Sequence, residues 1–326
     1  MDNSERTALG VDIGGTNTKV GLVDVNGEVN FFNSFPTQAQ GKDPNPFLVQ
    51  MCESIGDILD STSTKVSGIG ICTHGYIDDE RRGPIISEST PAIRGVDLHD
   101  WLHDKFHLPV KVSNDLTSHA MAEYYFGCGR GTRRFMTMAV GTGIGVGVVI
   151  DGKPLRFVGG TTGDTGRIIL QPGGPKCIYG VSGSAEALCG TANIERKAAL
   201  CYREKVSAHQ VIKAARDGTD LIAIDIIQQI GSYLGWVIAS LSAIFLPEKV
   251  ALTGGTSEAG NVLLEACRKR FDEMVGDYHF TLARLSGGYH QGVEIVLSQY
   301  RGESGIVGSV VELLVPSINR LLEENH

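Results

Sequence analysis

The stretch LGVDIGGTNTKVGLV, from Leu9 to Val23, decides how the rest of the chain is read. Apolar residues alternate on both sides of Gly14-Gly15, which predicts strand, tight turn, strand. Asn26-Gly27 then predicts a hairpin turn into a third strand, Glu28 to Phe35. The pattern returns once: Phe135 to Val149 reads as two apolar strands around GTGIGVG at Gly141 to Gly147, with Asp151-Gly152 as the following turn. Two α/β halves with the same opening are therefore expected.

Between and after these hairpins, helical spacing marks Phe47 to Leu59, Leu98 to Phe106 and Ser118 to Phe126, with short strands at Val66 to Cys72 and Val110 to Val112. The second half adds helices after Gly183 and at Ala208 to Ala215. A long one follows, in which Ile227, Ile230, Leu234, Val237, Leu241 and Phe245 keep one face until Pro247. Val250 to Thr253 is a buried strand, and a helix from Gly305 to about Leu322 closes the chain. Pattern alone places the boundary near residues 113 to 135.

The 326 residues are enough for two domains, and 42 glycines are nearly twice the average share of roughly 7%. A net charge of -8 argues against a nucleic-acid partner. Seven cysteines without a CxxC pair signal neither a disulfide framework nor a zinc ribbon, and fit a reducing cytoplasm. No signal core precedes Leu9. The longest uncharged helical stretch, about Gly235 to Leu246, is short of a membrane span, so a soluble cytoplasmic protein is expected.

Three glycine clusters follow strands: DIGGTNTK at Asp12 to Lys19, GTGIGVG, and TGGT at Thr253 to Thr256. Backbone N–H groups in such loops can approach a phosphate, although two-glycine turns are also common in plain hairpins. A Walker loop and a dinucleotide fingerprint both need a helix after their glycines. Here the chain continues as TKVGLVD and VVIDG, which are strands. What remains is a nucleotide held by two β-hairpins from similar domains, with Asp12 reaching the water around a Mg²⁺.

DIGGT, SND at Ser113 to Asp115, GTGIGVG, GDTGR with CIYGVSGSAE at Gly163 to Glu186, and the late LTGG stand in an order and spacing that resembles the ROK family (repressors, open reading frames and sugar kinases) from about Leu9 to Val311. The resemblance implies two ribonuclease-H-like domains of the actin-like ATPase superfamily, with ATP and a sugar in a central cleft. The domains are expected at 1–115, completed by the C-terminal helix 305–326, and at 116–304. A homodimer is also implied.

Asp115 follows the strand VKVSN and precedes a helix, so the residues alone allow a helix cap as readily as a general base. The resemblance implies that Asp115 takes the proton from the sugar hydroxyl while Asn114 holds the sugar. It further implies sugar contacts from Ser89, Gly95, Asp164, Arg167 and Glu186. ATP falls to Asp12, Gly14, Gly15, Thr16, Asn17, Lys19, Gly141, Thr142, Gly143, Gly254 and Gly255. Zinc-containing relatives have a histidine and three cysteines where this chain has Arg167, Cys177, Tyr179 and Ser184, so no structural zinc is expected. Ser89 and Asp164 are shorter than the asparagine and glutamate usual there. An Arg167–Asp164 pair is one outcome, and an Arg167 that faces the substrate is the other.

Glu123 and Glu258 read as solvated acids, Trp101 and Trp236 as core, and Arg130 to Arg134 as a solvated basic turn. The expected function is ATP-dependent phosphorylation of a hexose or hexose derivative. A non-catalytic sugar sensor is the alternative. A repressor is disfavoured because DIGGT begins by Asp12, leaving no room for a helix-turn-helix domain ahead of it.

Overall fold

The computed structural model describes residues 6–78, 80–300 and 302–315. They form two compact units. The first comprises the described parts of Met1–Gly131, Gly147–Gly163 and Tyr300–His326, the second Thr132–Val146 and Asp164–Gln299. The division differs from a cut at residue 115, because Leu116–Gly131 and Gly147–Gly163 cluster with the first unit.

The first unit opens with β1 (Thr7–Ile13), β2 (Asn17–Asp24), β3 (Val29–Pro36), α1 (Asn45–Ser61), β4 (Val66–Thr73), the short pair β5 (Tyr76–Ile77) and β6 (Pro84–Ile86), α2 (Leu98–Phe106), β7 (Val110–Asn114) and α3 (Asp115–Tyr125). Its sheet has the order β3-β2-β1-β4-β7, with β1 antiparallel to β2 and parallel to β4, and β4 parallel to β7. Alternation along the strands decides what each face packs against. Leu9, Val11, Ile13, Ile69 and Ile71 meet Phe47, Met51 and Ile55 of α1 and Leu98 and Leu102 of α2 in one core. Trp101 packs against that core, as expected.

The second unit takes its sheet from β8 (Arg134–Val140) and β9 (Ile144–Ile150), followed by the short β10 (Lys153–Pro154) and the helices α4 (Ala185–Cys189), α5 (Thr191–Tyr202), α6 (Ala208–Arg216) and α7 (Leu221–Phe245). β11 (Lys249–Thr253), α8 (Asn261–Leu285) and β12 (Glu294–Leu297) complete it. The sheet order is β10-β9-β8-β11-β12, and β8, β11 and β12 run parallel. Helix α7 begins at Asp220, whose carboxylate caps Ile222 and Ala223, and ends in a left-handed Leu246 before Pro247. By length and composition α7 could cross a bilayer, because its uncharged run extends from Ile226 to Pro247 and not only from about Gly235 to Leu246 as expected. Half of its most apolar window is buried inside the protein. Trp236, expected in the core, is 39% exposed on its outer side.

Sequence reasoning missed helix α8, although Leu264, Cys267, Phe271, Met274 and Tyr278 recur at helical spacing along its 25 residues. Gly231 and Gly235 let α7 approach so closely that a Cβ would lie 2.5 Å from the Leu263 carbonyl oxygen and 2.4 Å from that of Cys267.

The chain returns to the first unit as α9 (Ser304–Ser309) and α10 (Val311–Leu314). One continuous helix was expected from Gly305; the structure breaks it at Val310, and the part from residue 316 lies outside the described residues. Gly21, Gly10 and Gly70 are cross-strand neighbours on β2, β1 and β4. Together they bare a strip of sheet backbone. A Cβ on Gly10 would lie 2.4 Å from the Ile306 carbonyl oxygen, and one on Gly70 2.3 Å from that of Ser309.

Two acids are buried in this region. Glu123, expected at the surface, is 0% exposed and accepts from the backbone N–H of Cys128 at 2.9 Å and of Tyr300 at 2.6 Å. Glu312 pairs with Arg81 at 2.8 Å and Arg156 at 2.6 Å. Burial alone would raise the Glu312 pKa, yet the two guanidinium groups hold it at about 2, below the ordinary 4.5.

Gly70→Ala is expected to destabilise the protein by about 1–3 kcal/mol through overpacking, whereas Gly41→Ala, with open space at its Cβ, stays within about 0.5 kcal/mol. Urea midpoints check both. Glu312→Gln is expected to cost about 3–5 kcal/mol at neutral pH, because two partly buried arginines lose the buried carboxylate that pairs them. Since the folded pKa lies below the unfolded one, this stability is present above pH 4.5 and is lost as the pH falls toward about 2. The stability difference between the two proteins should shrink over that window.

Candidate functional site

Parallel β1, β4 and β7 end at the same edge of the first sheet, and so do the loops that follow them. Ile13 pairs with Thr73, and Thr73 with Asn114. Gly14 and Gly15 close the β1–β2 turn, where the Gly14 N–H donates to Asn17 at 3.2 Å and Thr16 holds Thr37 at 2.8 Å. A Cβ on Gly15 would lie 2.9 Å from the Ser89 Cβ, and Gln40 donates to the carbonyls of both residues. The Ser89 hydroxyl oxygen is shielded and has no hydrogen-bond partner among the described residues. Gly95, at φ 76°, ends the loop after Pro91–Ile93 and has open space at its Cβ.

Asn114 and Asp115 sit where β7 becomes α3. The Asn114 Oδ1 accepts from the Leu116 N–H at 2.9 Å as the helix cap, and its amide donates to the Gly75 carbonyl at 2.8 Å. It therefore fixes the β4–β5 turn to the start of α3. Asp115 is not the cap. Its Oδ1 accepts a second contact from the same Leu116 N–H at 2.9 Å, while its Oδ2 lies 3.3 Å from the His74 Nδ1.

Burial would raise the Asp115 pKa, but His74 and His119 hold it below its ordinary value. The contact with Asp115 in turn raises His74. Asp115 is thus ionised at neutral pH and keeps lone pairs for a further donor. Asp12, two residues beyond Gly10, faces Lys19 across the hairpin and lies near Cys72, His119 and Asp115. Burial pushes its carboxyl up, against the pull of His119 and Lys19. Lys19 Nζ donates to the Gly302 carbonyl at 2.5 Å. His119 Nδ1 meets the Ser304 hydroxyl at 2.6 Å, which ties α3 to α9.

In the second unit β8 and β11 run parallel, so Gly141–Gly143 and Gly254-Gly255 lie at one sheet edge. Gly254 sits at φ 85° against the Val140 backbone, and Gly255 faces open space. The Gly141 carbonyl accepts from the Thr191 N–H at 2.9 Å, and a Cβ on Gly143 would lie 2.8 Å from the Glu186 Oε2. The Thr142 carbonyl packs against Gly190.

Arg167 is paired on two sides, with Glu186 at 2.8 Å and Asp164 at 3.2 Å. Its guanidinium stacks over Tyr179, 4.2 Å from the ring centroid, and reaches the Cys177 sulfur at 3.8 Å. The resemblance associates this group with zinc, yet a guanidinium donates and cannot coordinate, and Ser184 is spent capping α4 through Ala187 at 3.3 Å. One thiol does not make a tetrahedral site.

The structure brings Asp12, Gly14, Gly15, Thr16, Asn17, Lys19, Ser89, Asn114 and Asp115 to one end of the first unit. It places Asp164, Arg167, Glu186 and the glycines 141–143 together in the second. Sequence reasoning missed His74 and His119. The signal for His74 was present, as a histidine directly after the buried strand GIGICT and before a glycine turn. Arg130 to Arg134 is not simply a solvated turn, since Arg134 pairs with Glu248 at 3.0 Å and donates to the Leu246 carbonyl at 2.7 Å.

Comparison with known proteins gives a consistent family. The chain is 30% identical over 327 residues to a glucokinase of Halalkalibacterium halodurans, covering 94% of each chain. It is 25% identical over 269 residues to a xylose repressor of Bacillus spizizenii, covering 82% of this chain and 69% of that one. The crystal structure of a ROK family glucokinase from Streptomyces griseus in complex with glucose and AMPPNP superposes with a TM-score of 0.75 at 27% identity. That match covers 93% of this chain and 97% of the other. Such neighbours have the two-domain actin-like ATPase fold. With the family model matching residues 8–312, the chain belongs to the ROK family.

Proposed function

We propose that this protein transfers the γ-phosphoryl group of ATP to a hydroxyl of a hexose or hexose derivative, with Asp115 as general base. The observation that carries the reading is Asp115 itself, an ionised, partly buried carboxylate at the strand-to-helix edge whose capping role is filled by Asn114. Similarity over almost the whole length to glucokinases supports it.

In the reaction a sugar oxygen forms a bond to the γ-phosphorus, the bond from that phosphorus to the β-bridging oxygen breaks, and ADP leaves. The hydroxyl proton passes to Asp115. The Ser89 hydroxyl, which has no hydrogen-bond partner among the described residues, suits a sugar hydroxyl as donor or acceptor. Backbone N–H groups of Gly14, Gly15, Gly141, Thr142, Gly143, Gly254 and Gly255 suit phosphate oxygens. Asp12, a carboxylate that burial destabilises, fits the Mg²⁺ that accompanies ATP, which would neutralise phosphate charge.

The charge of Arg167 is answered by Glu186 and Asp164. We infer that Arg167 orients Glu186 toward a neutral sugar and does not recruit an anionic one. A second reading, sugar sensing without transfer, is favoured by the similarity to the xylose repressor.

Asp115→Asn is expected to keep the fold and to lower turnover by roughly 10² to 10⁴. ADP release measured over a panel of sugars with Mg²⁺ decides this: wild-type turnover in the variant removes the base from Asp115, and no turnover by the wild type with any sugar favours the sensing reading. For Arg167, wild type is expected to prefer neutral hexoses to uronic acids, and Arg167→Met to raise KM for the neutral sugar about tenfold or more. A wild-type preference for acidic sugars would refute the pairing role.

A further inference from the structure

His74 is joined to the proposed base by more than one contact. It follows Thr73 at the end of β4 and precedes Gly75, whose φ of 98° turns the chain back so tightly that a Cβ there would lie 1.9 Å from the Ile86 carbonyl oxygen. The Gly75 carbonyl is clamped at 2.8 Å by the amide of Asn114, and the same side chain caps α3 at Leu116. One residue therefore fixes both the histidine turn and the helix start that carries Asp115. The result is a His74 Nδ1 at 3.3 Å from the Asp115 Oδ2, with the Oδ1 held by the Leu116 N–H. Just over half of the His74 side chain remains exposed, so it exchanges protons with water.

We propose that His74 is a positioning residue that holds the Asp115 carboxylate through Oδ2 and sets its basicity through the charge of its ring. The inference rests on Asp115 acting as the base of a phosphoryl transfer. In the neutral ring, the Nδ1–H orients the carboxylate and lowers its proton affinity only through the hydrogen bond. In the protonated ring, the adjacent positive charge lowers that affinity, and the carboxylate accepts the hydroxyl proton less well.

The groups that face this pair are few. Glu88 approaches His74 and shifts it the same way as Asp115 does, while Asp115 also feels His119 from its own helix. Asp12 on β1 and Cys72 on β4 lie on its other side. Cys72 is a neutral thiol, since burial pushes it well up and both carboxylates add to the shift. The ring of His74 is raised above its ordinary 6.5, so the change of state falls on the alkaline side of that value.

Two measurements on the full-length protein test this. First, His74 is followed by NMR titration in protein labelled at the histidine rings, with His74→Asn assigning its signal. Its pKa is expected above 6.5 in the wild type and lower in Asp115→Asn. An unchanged titration overturns the coupling. Second, kcat/KM for the best sugar is measured from pH 6 to 8.5 in wild type and His74→Asn, an uncharged side chain that can still donate to Oδ2. Titration of ATP itself is common to both proteins and cancels in their ratio.

The ratio of wild type to variant is expected to fall roughly three- to tenfold from pH 8.5 to pH 6, as the wild-type ring gains its proton. A ratio constant across the range overturns the control of basicity. Absence of turnover by wild type at every pH overturns the kinase reading, and the titration then decides by itself whether His74 and Asp115 are a coupled pair.

Discussion

The contact between the backbone of α9 and the glycine strip of the first sheet is the constraint on which the rest depends. Helices normally pack on sheets through side chains about 10 Å away, and a six-residue helix has too little side-chain surface to be held firmly in that way. Here Gly10 and Gly70 remove the intervening layer, and Gly308 does the same toward α3, where a Cβ would lie 1.7 Å from the Ser118 carbonyl oxygen. The consequence reaches the site. Gly305 presses against the Asp12 carboxylate and Ser304 holds His119, so α9 also fixes Asp12 and the helix bearing Asp115.

This explains what the glycine excess is for, which composition left open. Some of the glycines form the phosphate-type loops that sequence reading singled out, at 14–15, 141–143 and 254–255. Others, such as 10, 70, 231, 235 and 308, are spacers between elements. The two kinds are indistinguishable by residue type. They separate only when the partner across the gap is known, and that partner is up to some three hundred residues distant in the chain.

The same distinction governs how much was legible. Strands β1, β2, β4, β8 and β9 were readable because burial on the sheet leaves an apolar pattern. α7 was readable because one face stays apolar for about five turns. α8 was overlooked although Leu264, Cys267, Phe271, Met274 and Tyr278 recur at helical spacing; what its sequence does not show is the close approach to α7 at Gly231 and Gly235. Glu123 and Glu312 were also invisible as core residues, because what makes their burial tolerable is a set of donors from remote segments: Cys128 and Tyr300 for one, Arg81 and Arg156 for the other. In the candidate site, the residues at strand ends were found from their motifs. His74 lacked a motif, and its proximity to Asp115 follows from the parallel pairing of β4 with β7, which sequence periodicity does not reveal.

The two candidate clusters, one in each unit, treat charge in opposite ways, and the difference bears on what each can do. In the second unit Arg167 is flanked by two carboxylates and an aromatic face, and its charge is absorbed by neighbours that hold it still. Such a group suits recognition, in which geometry must not vary. In the first unit the carboxylates Asp12 and Asp115 are held by an N–H group, a thiol and imidazole rings, and Lys19 acts on Asp12 as a cation. A carboxylate locked to a guanidinium has its proton affinity lowered at every pH, whereas an imidazole lowers it strongly while protonated and less, through the N–H hydrogen bond alone, when neutral. Asp115 stays ionised at neutral pH, and its proton affinity is higher beside a neutral His74 than beside a protonated one, which is what its proposed role as base requires.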